Sequence, residues 1–254
     1  RTLKAIAQSD AVVFGGGSLF TDTESWRAPV MWWWYALAAK LKGKKIVMAF
    51  QGVGPVRGFV AKRCTGLTLL WSSFISVRDP GSLKRVEAFL GESGLLGKII
   101  VHTFDPAIAV FKGTSHESSK KLIVVPRANT TPEFLARVQV EVAKGWDEVV
   151  VLLLEPAADQ HAANQVRESV KNVAVRIEEV RTFDVLVNEV ASSQFVLTQR
   201  FHGAIAALAN GVKFDAVPQA PGDKLDNANS MDPAACFASL KIGEDALAAF
   251  FRKG

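Results

Sequence analysis

Alternation constrains this chain more than any single motif. Short β-branched and aliphatic runs recur at residues 11–14, 45–50, 74–77, 98–101, 122–125, 148–154, 173–177, 194–197 and 214–217, and helix-length segments fill most gaps, at 29–41, 81–90, 131–144, 156–170, 183–192 and 201–210. Strands that alternate with helices return to their sheet by crossovers, so the pattern predicts parallel sheets covered by helices, an α/β fold. A chain of 254 residues exceeds a comfortable single core. The polar Gly/Ser stretch at 112–119 is the best break, giving a Rossmann-like domain over 1–113 and another over 114–254. Two such halves facing one another would leave a cleft where strand C-termini meet, the place where open α/β sheets take ligands. Residues 1–8 read as a helix running straight into the strand at 11–14. The N-terminal domain is therefore expected to lack its first βα unit and to leave a sheet position or an apolar face open.

Composition narrows the function classes. Hydrophobic residues make up 49% and charged residues 22%, as in a soluble globular protein, and the longest apolar run, 28–39, is too short to span a bilayer. Cys64 and Cys236 are too few and too far apart for a disulfide framework or a thiolate metal site, which fits a reducing cytosol. His102, His116 and His161 lack metal-ligand spacing with acids or cysteines, so no metal is expected. A net charge of +5 and a pI near 9.2 favour anionic partners. The basic residues are scattered, however, and the densest run, 40–45, reads as the basic end of a helix. Without zinc-finger spacing, an RNP-like strand or a basic arm, no nucleic-acid partner is expected; a small anionic substrate accounts for the charge.

Three junctions carry candidate chemistry. At Val196-Leu197-Thr198-Gln199-Arg200-Phe201-His202-Gly203 an apolar strand meets an Ala-rich helix opened by an Arg-x-His pair. A helix N-terminus offers unsatisfied N–H groups and partial positive charge, Arg200 adds a planar fork for a carboxylate or phosphate, and His202 can move a proton near neutral pH. The plainer alternative is that Arg200 salt-bridges a local carboxylate and His202 caps a turn. The turn Gly15-Gly16-Gly17-Ser18-Leu19-Phe20 suggests a dinucleotide fingerprint, but Phe20 replaces the third glycine, and the next strand ends in Phe50-Gln51 without a ribose-binding acid. Gln51-Gly52-Val53-Gly54-Pro55 is a second strand ending in a tight turn.

Taken together with Ser76-Val77-Arg78-Asp79, Asp105-Pro106 and Arg200-Phe201-His202-Gly203-Ala204-Ile205, these pieces resemble the polysaccharide pyruvyl transferase family, in the family's order and over most of the chain. The resemblance implies a two-domain fold similar to GT-B glycosyltransferases and transfer of pyruvate from phosphoenolpyruvate to a sugar as a ketal. Phosphoenolpyruvate would be a co-substrate, with no resident cofactor. Donor-site positions carry over to Arg200, His202 and, in Gly222-Asp223-Lys224-Leu225-Asp226, to Lys224. The donor's phosphate and carboxylate need at least two cationic sites, for which Arg78 and Arg127 are reserves, and His202 is the candidate acid. Gly15, Gly16, Gly17, Asp22, Gly52 and Gly54 fall to the acceptor side or its loops. Gly211-Val212-Lys213 replaces the family's Gly-x-Pro, 216–221 is reshaped, and the family's glycine-rich opening has no counterpart.

The acceptor would be a saccharide or a lipid-linked glycan, handled in the cytoplasm with peripheral contact at the inner membrane face. Trp32-Trp33-Trp34-Tyr35 suits such a contact, but adjacent aromatics on a helix diverge and mainly suggest packing. Asp79 reads as an ordinary turn residue. Glu155 and Asp159 could meet an acceptor or simply complement a helix dipole. A nucleotide-sugar glycosyltransferase and a non-catalytic carbohydrate-binding protein are the competing functions.

Overall fold

The computed structural model describes residues 1–23, 25–113, 119–219, 225–226 and 228–252. In chain order the elements are α1 (Thr2–Gln8), β1 (Ala11–Phe14), β2 (Gly17–Phe20), α2 (Arg27–Leu41), β3 (Lys45–Val53), α3 (Phe59–Trp71), β4 (Phe74–Val77), α4 (Pro80–Leu95), β5 (Ile99–His102), α5 (Ala107–Val110), β6 (Lys121–Val125), α6 (Pro132–Val142), β7 (Glu148–Leu153), α7 (Pro156–Ser169), β8 (Ala174–Glu179), α8 (Phe183–Ala191), β9 (Phe195–Thr198), α9 (Phe201–Ala209), β10 (Lys213–Ala216) and α10 (Pro233–Arg252). Helix starts follow local chemistry. Asp79 accepts the Ser82 amide at 2.7 Å with Pro80 next in line, and Thr131 accepts the Phe134 amide at 3.3 Å with Pro132 next. The chain forms two compact units, Arg1–Pro106 with Cys236–Gly254, and Ala107–Ala235.

The first unit holds a parallel sheet in the order β1-β3-β4-β5, with β2 also beside β3. Strand β3 is nine residues long, enough for β1 and β2 to lie end to end along it, Phe14 opposite Met48 and Gly17 opposite Gln51. The glycine turn expected at 15–20 is thus a break between two strands. Alternation along β3 sends Ile46 and Met48 into one apolar cluster, with Phe14, Phe20, Ala36, Leu69 and Val86, and Val47 and Ala49 into another. The first cluster lies under the crossover helices. The order never reverses, so right-handed crossovers place α2, α3 and α4 on one face. The second cluster is closed by α10: the Phe250 ring stands 5.5 Å from that of Phe74, and Thr103 Oγ1 donates to the Ser239 carbonyl at 2.9 Å. That return corrects the expectation that residues 114–254 stay together. The twenty residues of α10 carry an apolar stripe, and the stripe covers the first sheet. Strand β1 lies at the sheet edge, where Val13 is half-exposed.

The second unit is a parallel sheet in the order β10-β9-β6-β7-β8. Its first strand in sequence, β6, sits in the middle, and the winding reverses between β6 and β9, the Rossmann arrangement. Leu122, Val124, Phe134, Val149, Val151 and Leu197 form its core. From Gly203 to Ala209 every residue of α9 is buried, as for a helix that is apolar all round. Among the described residues no helix is long and apolar enough to cross a membrane.

Candidate functional site

In the second unit the loops after β6, β7 and β9 leave the same edge of the sheet because the strands are parallel. The reversal between β6 and β9 opens a crevice there. Polar side chains bind its two sides: Thr130 Oγ1 and Gln199 Oε1 are 2.6 Å apart, and Gln219 Nε2 donates to the carbonyls of Ala128 and Asn129 at 3.1 Å. Arg200 is the N-cap residue of α9, and its backbone is fixed by Thr198, whose hydroxyl accepts the Arg200 amide at 3.0 Å and donates to the Arg200 carbonyl at 2.8 Å.

The Arg200 guanidinium reaches across β6 to the end of β7. One terminal nitrogen donates to Glu155 at 2.6 Å and the other to Asp159 at 2.5 Å, while its Nε is buried without a hydrogen-bond partner. The two carboxylates differ. Asp159 is fully buried and also accepts the amides of Ala128 at 2.9 Å and Glu155 at 3.0 Å, whereas the Glu155 side chain is 61% exposed. The hydrogen bond from Arg200 holds the Glu155 carboxyl below its ordinary pKa against partial burial, and the charges of Arg200 and Arg127 add to the effect. Burial pulls the Arg200 pKa down, but its two carboxylate bonds outweigh that and raise it. The plainer sequence reading of Arg200, a local ion pair, describes this geometry.

Arg127 follows β6 at the same edge, half-buried, and among the described residues no carboxylate or hydrogen-bond partner holds its guanidinium. Its charge is nonetheless felt by Glu155. His202 is exposed in the first turn of α9, edge-on to Phe111 at 6.0 Å. With Glu155, Arg200, Thr182, Phe183 and Asp184 it lines a cavity of about 650 Å³. Arg127 and Arg200 balance Glu155 and Asp159 in charge. Lys224 lies outside the described residues.

The remaining motif residues assemble in the first unit. Arg78, just after β4, is buried in an ion pair with Asp105 and donates to Ser18 Oγ at 3.0 Å. A Cβ on Gly52 would lie 2.7 Å from Ser18 Oγ and 3.1 Å from Arg78 Nε, so only glycine fits beside that network. Gly17 has φ +109°, a conformation that side chains oppose. Buried Gln51 donates through Nε2 to the carbonyls of Phe14, at 3.1 Å, and Gly15, and its Oε1 is buried without a partner. Gly16 stands beside Pro106, and the Gly54 amide donates to the Phe20 carbonyl at 2.7 Å. Asp22 accepts the amides of Arg57 at 2.8 Å and Gly58 at 2.6 Å, at the start of α3. Burial pushes its pKa up, but these amides prevail and lower it. Asp79 caps α4. Sequence spacing did not disclose that Arg78 pairs with Asp105, or that Glu155 and Asp159 both hold Arg200.

The model of the polysaccharide pyruvyl transferase family matches residues 1–217. The chain belongs to the polysaccharide pyruvyl transferase family. No curated protein matches it. Membership makes the protein a pyruvyltransferase of polysaccharide biosynthesis, and the matched span takes in the glycine break between β1 and β2, Arg127, Arg200 and His202 and stops short of Lys224. Among the described residues no group of His, Cys, Asp and Glu is placed to hold a metal ion.

Proposed function

We propose that the protein moves pyruvate from phosphoenolpyruvate onto two hydroxyls of a sugar, with the donor bound at the carboxyl edge of the second sheet. The observation that carries this is that Arg200 and His202 line one cavity, with an exposed carboxylate, Glu155, occupying the arginine and the charge of Arg127 reaching that carboxylate. A carboxylate already seated on Arg200 shows which chemistry that fork accepts, and the donor's carboxylate would take Glu155's place. Arg127 would face the phosphate. Lys224 is a third cation on the strength of the sequence resemblance alone.

The reaction balances without an oxidant or reductant. One sugar hydroxyl gives up its proton as it bonds to C2 of the donor while C3 gains a proton, the C2–O bond then breaks and phosphate leaves, and a second hydroxyl closes the ketal as its proton goes to the departing phosphate, which is released as hydrogen phosphate. Glu155 is a poor source for the C3 proton because its neighbours keep it ionised. His202 lines the same cavity, and it supplies the proton in this reading. The acceptor is a saccharide or lipid-linked glycan, and the site works in the cytoplasm, consistent with the buried free thiols of Cys64 and Cys236.

The test is a thermal-shift comparison of phosphoenolpyruvate with sugar nucleotides, followed by single-turnover phosphate release with a sugar acceptor. Stabilisation by phosphoenolpyruvate and acceptor-dependent phosphate release are expected. His202→Gln should keep most donor affinity and lose turnover by about 100-fold. Stabilisation by a sugar nucleotide alone would replace this reading with glycosyl transfer, and stabilisation by glycans without turnover would make the protein a binding module.

A further inference from the structure

We propose that the outer face of α3 docks the protein on an anionic lipid bilayer. The first ground is charge. Residues 25–78 contain nine Lys and Arg and no Asp or Glu, in a chain that has 25 acids overall. Two whole helices, α2 and α3, therefore lie in a stretch with no negative side chain to repel an anionic surface.

The second ground is the orientation of α3, whose outer face mixes large apolar side chains with cations. At about 100° per residue, Phe59, Val60, Leu67 and Leu70 share the solvent side with Lys62 and Arg63. Thr65 and Thr68 face inward with Ala61, Cys64 and Leu69. Phe59 is 72% exposed and Val60 54%. A surface helix normally keeps polar residues outward. Here the threonines are buried, Thr68 bonding back to the Cys64 carbonyl at 2.9 Å and Thr65 left without a hydroxyl partner, while leucines meet water. The apolar surface continues into a groove of about 450 Å³ where Leu67 and Leu70 meet Phe89 of α4. The Arg63 guanidinium lies over the Phe59 ring at 5.4 Å, so cation and aromatic are presented together, as at a membrane interface.

The same charges argue against a second copy of the chain. A two-fold contact through this face would oppose Lys62 and Arg63 to their own equivalents, and neither α2 nor α3 carries an acid to offset them. A bilayer with acidic headgroups complements both the apolar and the cationic parts. The face also adjoins the first unit's turns, because Asp22 accepts the amides of Arg57 and Gly58 at the start of α3. A lipid-linked acceptor would thus be presented beside them. That last step alone rests on the reaction proposed above, whereas the docking does not.

The experiment is co-sedimentation of the full chain, without donor or acceptor, with vesicles of phosphatidylcholine and of phosphatidylcholine mixed with phosphatidylglycerol. Binding to the mixed vesicles only, weakened by salt, is expected. Lys62→Glu with Arg63→Glu should lower partitioning at least about tenfold, and Phe59→Ser with Val60→Ser about tenfold. All four side chains sit on the outer face of α3, and circular dichroism checks that each variant folds. Absence of binding to either vesicle, or equal binding by the charge-reversed variant, overturns the proposal. So does a wild-type dimer in light scattering that these substitutions dissociate, which would assign the face to a second copy.

Discussion

Arg78 and Arg200 make an instructive pair, since each follows a central strand of its sheet and each is held by carboxylate. Arg78 has a buried acid, Asp105, and a serine hydroxyl, and Gly52 closes against its side. Arg200 divides itself between a buried acid and an exposed one, keeps an unpartnered Nε, and looks into a cavity. A charge held by a buried acid differs from one that also holds an exposed acid, since an exposed carboxylate is the easier one to exchange for a ligand's. The first unit's arginine is paired inside the fold, whereas the second unit's keeps one carboxylate at the surface.

The largest effect that would break this contrast is on stability. Arg78→Ala leaves Asp105 buried without its cation and is expected to cost about 3–5 kcal/mol, read as a drop in the urea midpoint; an unchanged midpoint would mean that the network is not closed. Next comes Arg127→Ala, which removes a cation that no described acid holds. It should weaken phosphoenolpyruvate binding by about 1.5–3 kcal/mol in calorimetry while leaving the melting temperature near wild type. Arg200→Ala, by contrast, should lose both donor affinity and stability, because Asp159 is left buried. Gly17→Val then forces a β-branched residue into the positive-φ break between β1 and β2, at a cost of order 1–3 kcal/mol. A wild-type melting curve would show that the break tolerates a side chain.

The smallest effect separates the two arginines most sharply. If Glu155 is the displaceable partner, Glu155→Gln should tighten donor binding by a few-fold. The Glu155 pKa is lowered on folding, so its contribution to stability is present above its unfolded value of about 4.5 and is lost as pH falls through the lower folded value. The contribution is below about 1 kcal/mol because the side chain is largely exposed. The variant's acid-unfolding curve should therefore be slightly flatter in that window. Weaker donor binding in Glu155→Gln would mean that Glu155 orients Arg200 for the donor rather than competing with it.

Much of this architecture was legible in local pattern. The alternation of strands and helices specifies parallel sheets, and Pro80, Pro132 and Pro156 mark helix starts close to where they occur. What pattern could not supply is partnership across distance. The three glycines at 15–17 hid β2, because glycine breaks β-propensity, whereas pairing with the long β3 restores the strand. The apolar stripe of α10 announces a buried face but says nothing of which sheet it covers. Arg200, Glu155 and Asp159 were each visible as candidates, yet their union depends on β6 lying between β7 and β9, a consequence of winding order.

The return of α10 also sets a schedule for making the protein. Strands β1 to β5 leave the ribosome well before the helix that shields Val47, Ala49 and Phe74. During synthesis the first sheet must wait with one apolar face bare while residues 107–235, contiguous in sequence, can complete their own core. The second unit can therefore close its core before the first unit closes its own.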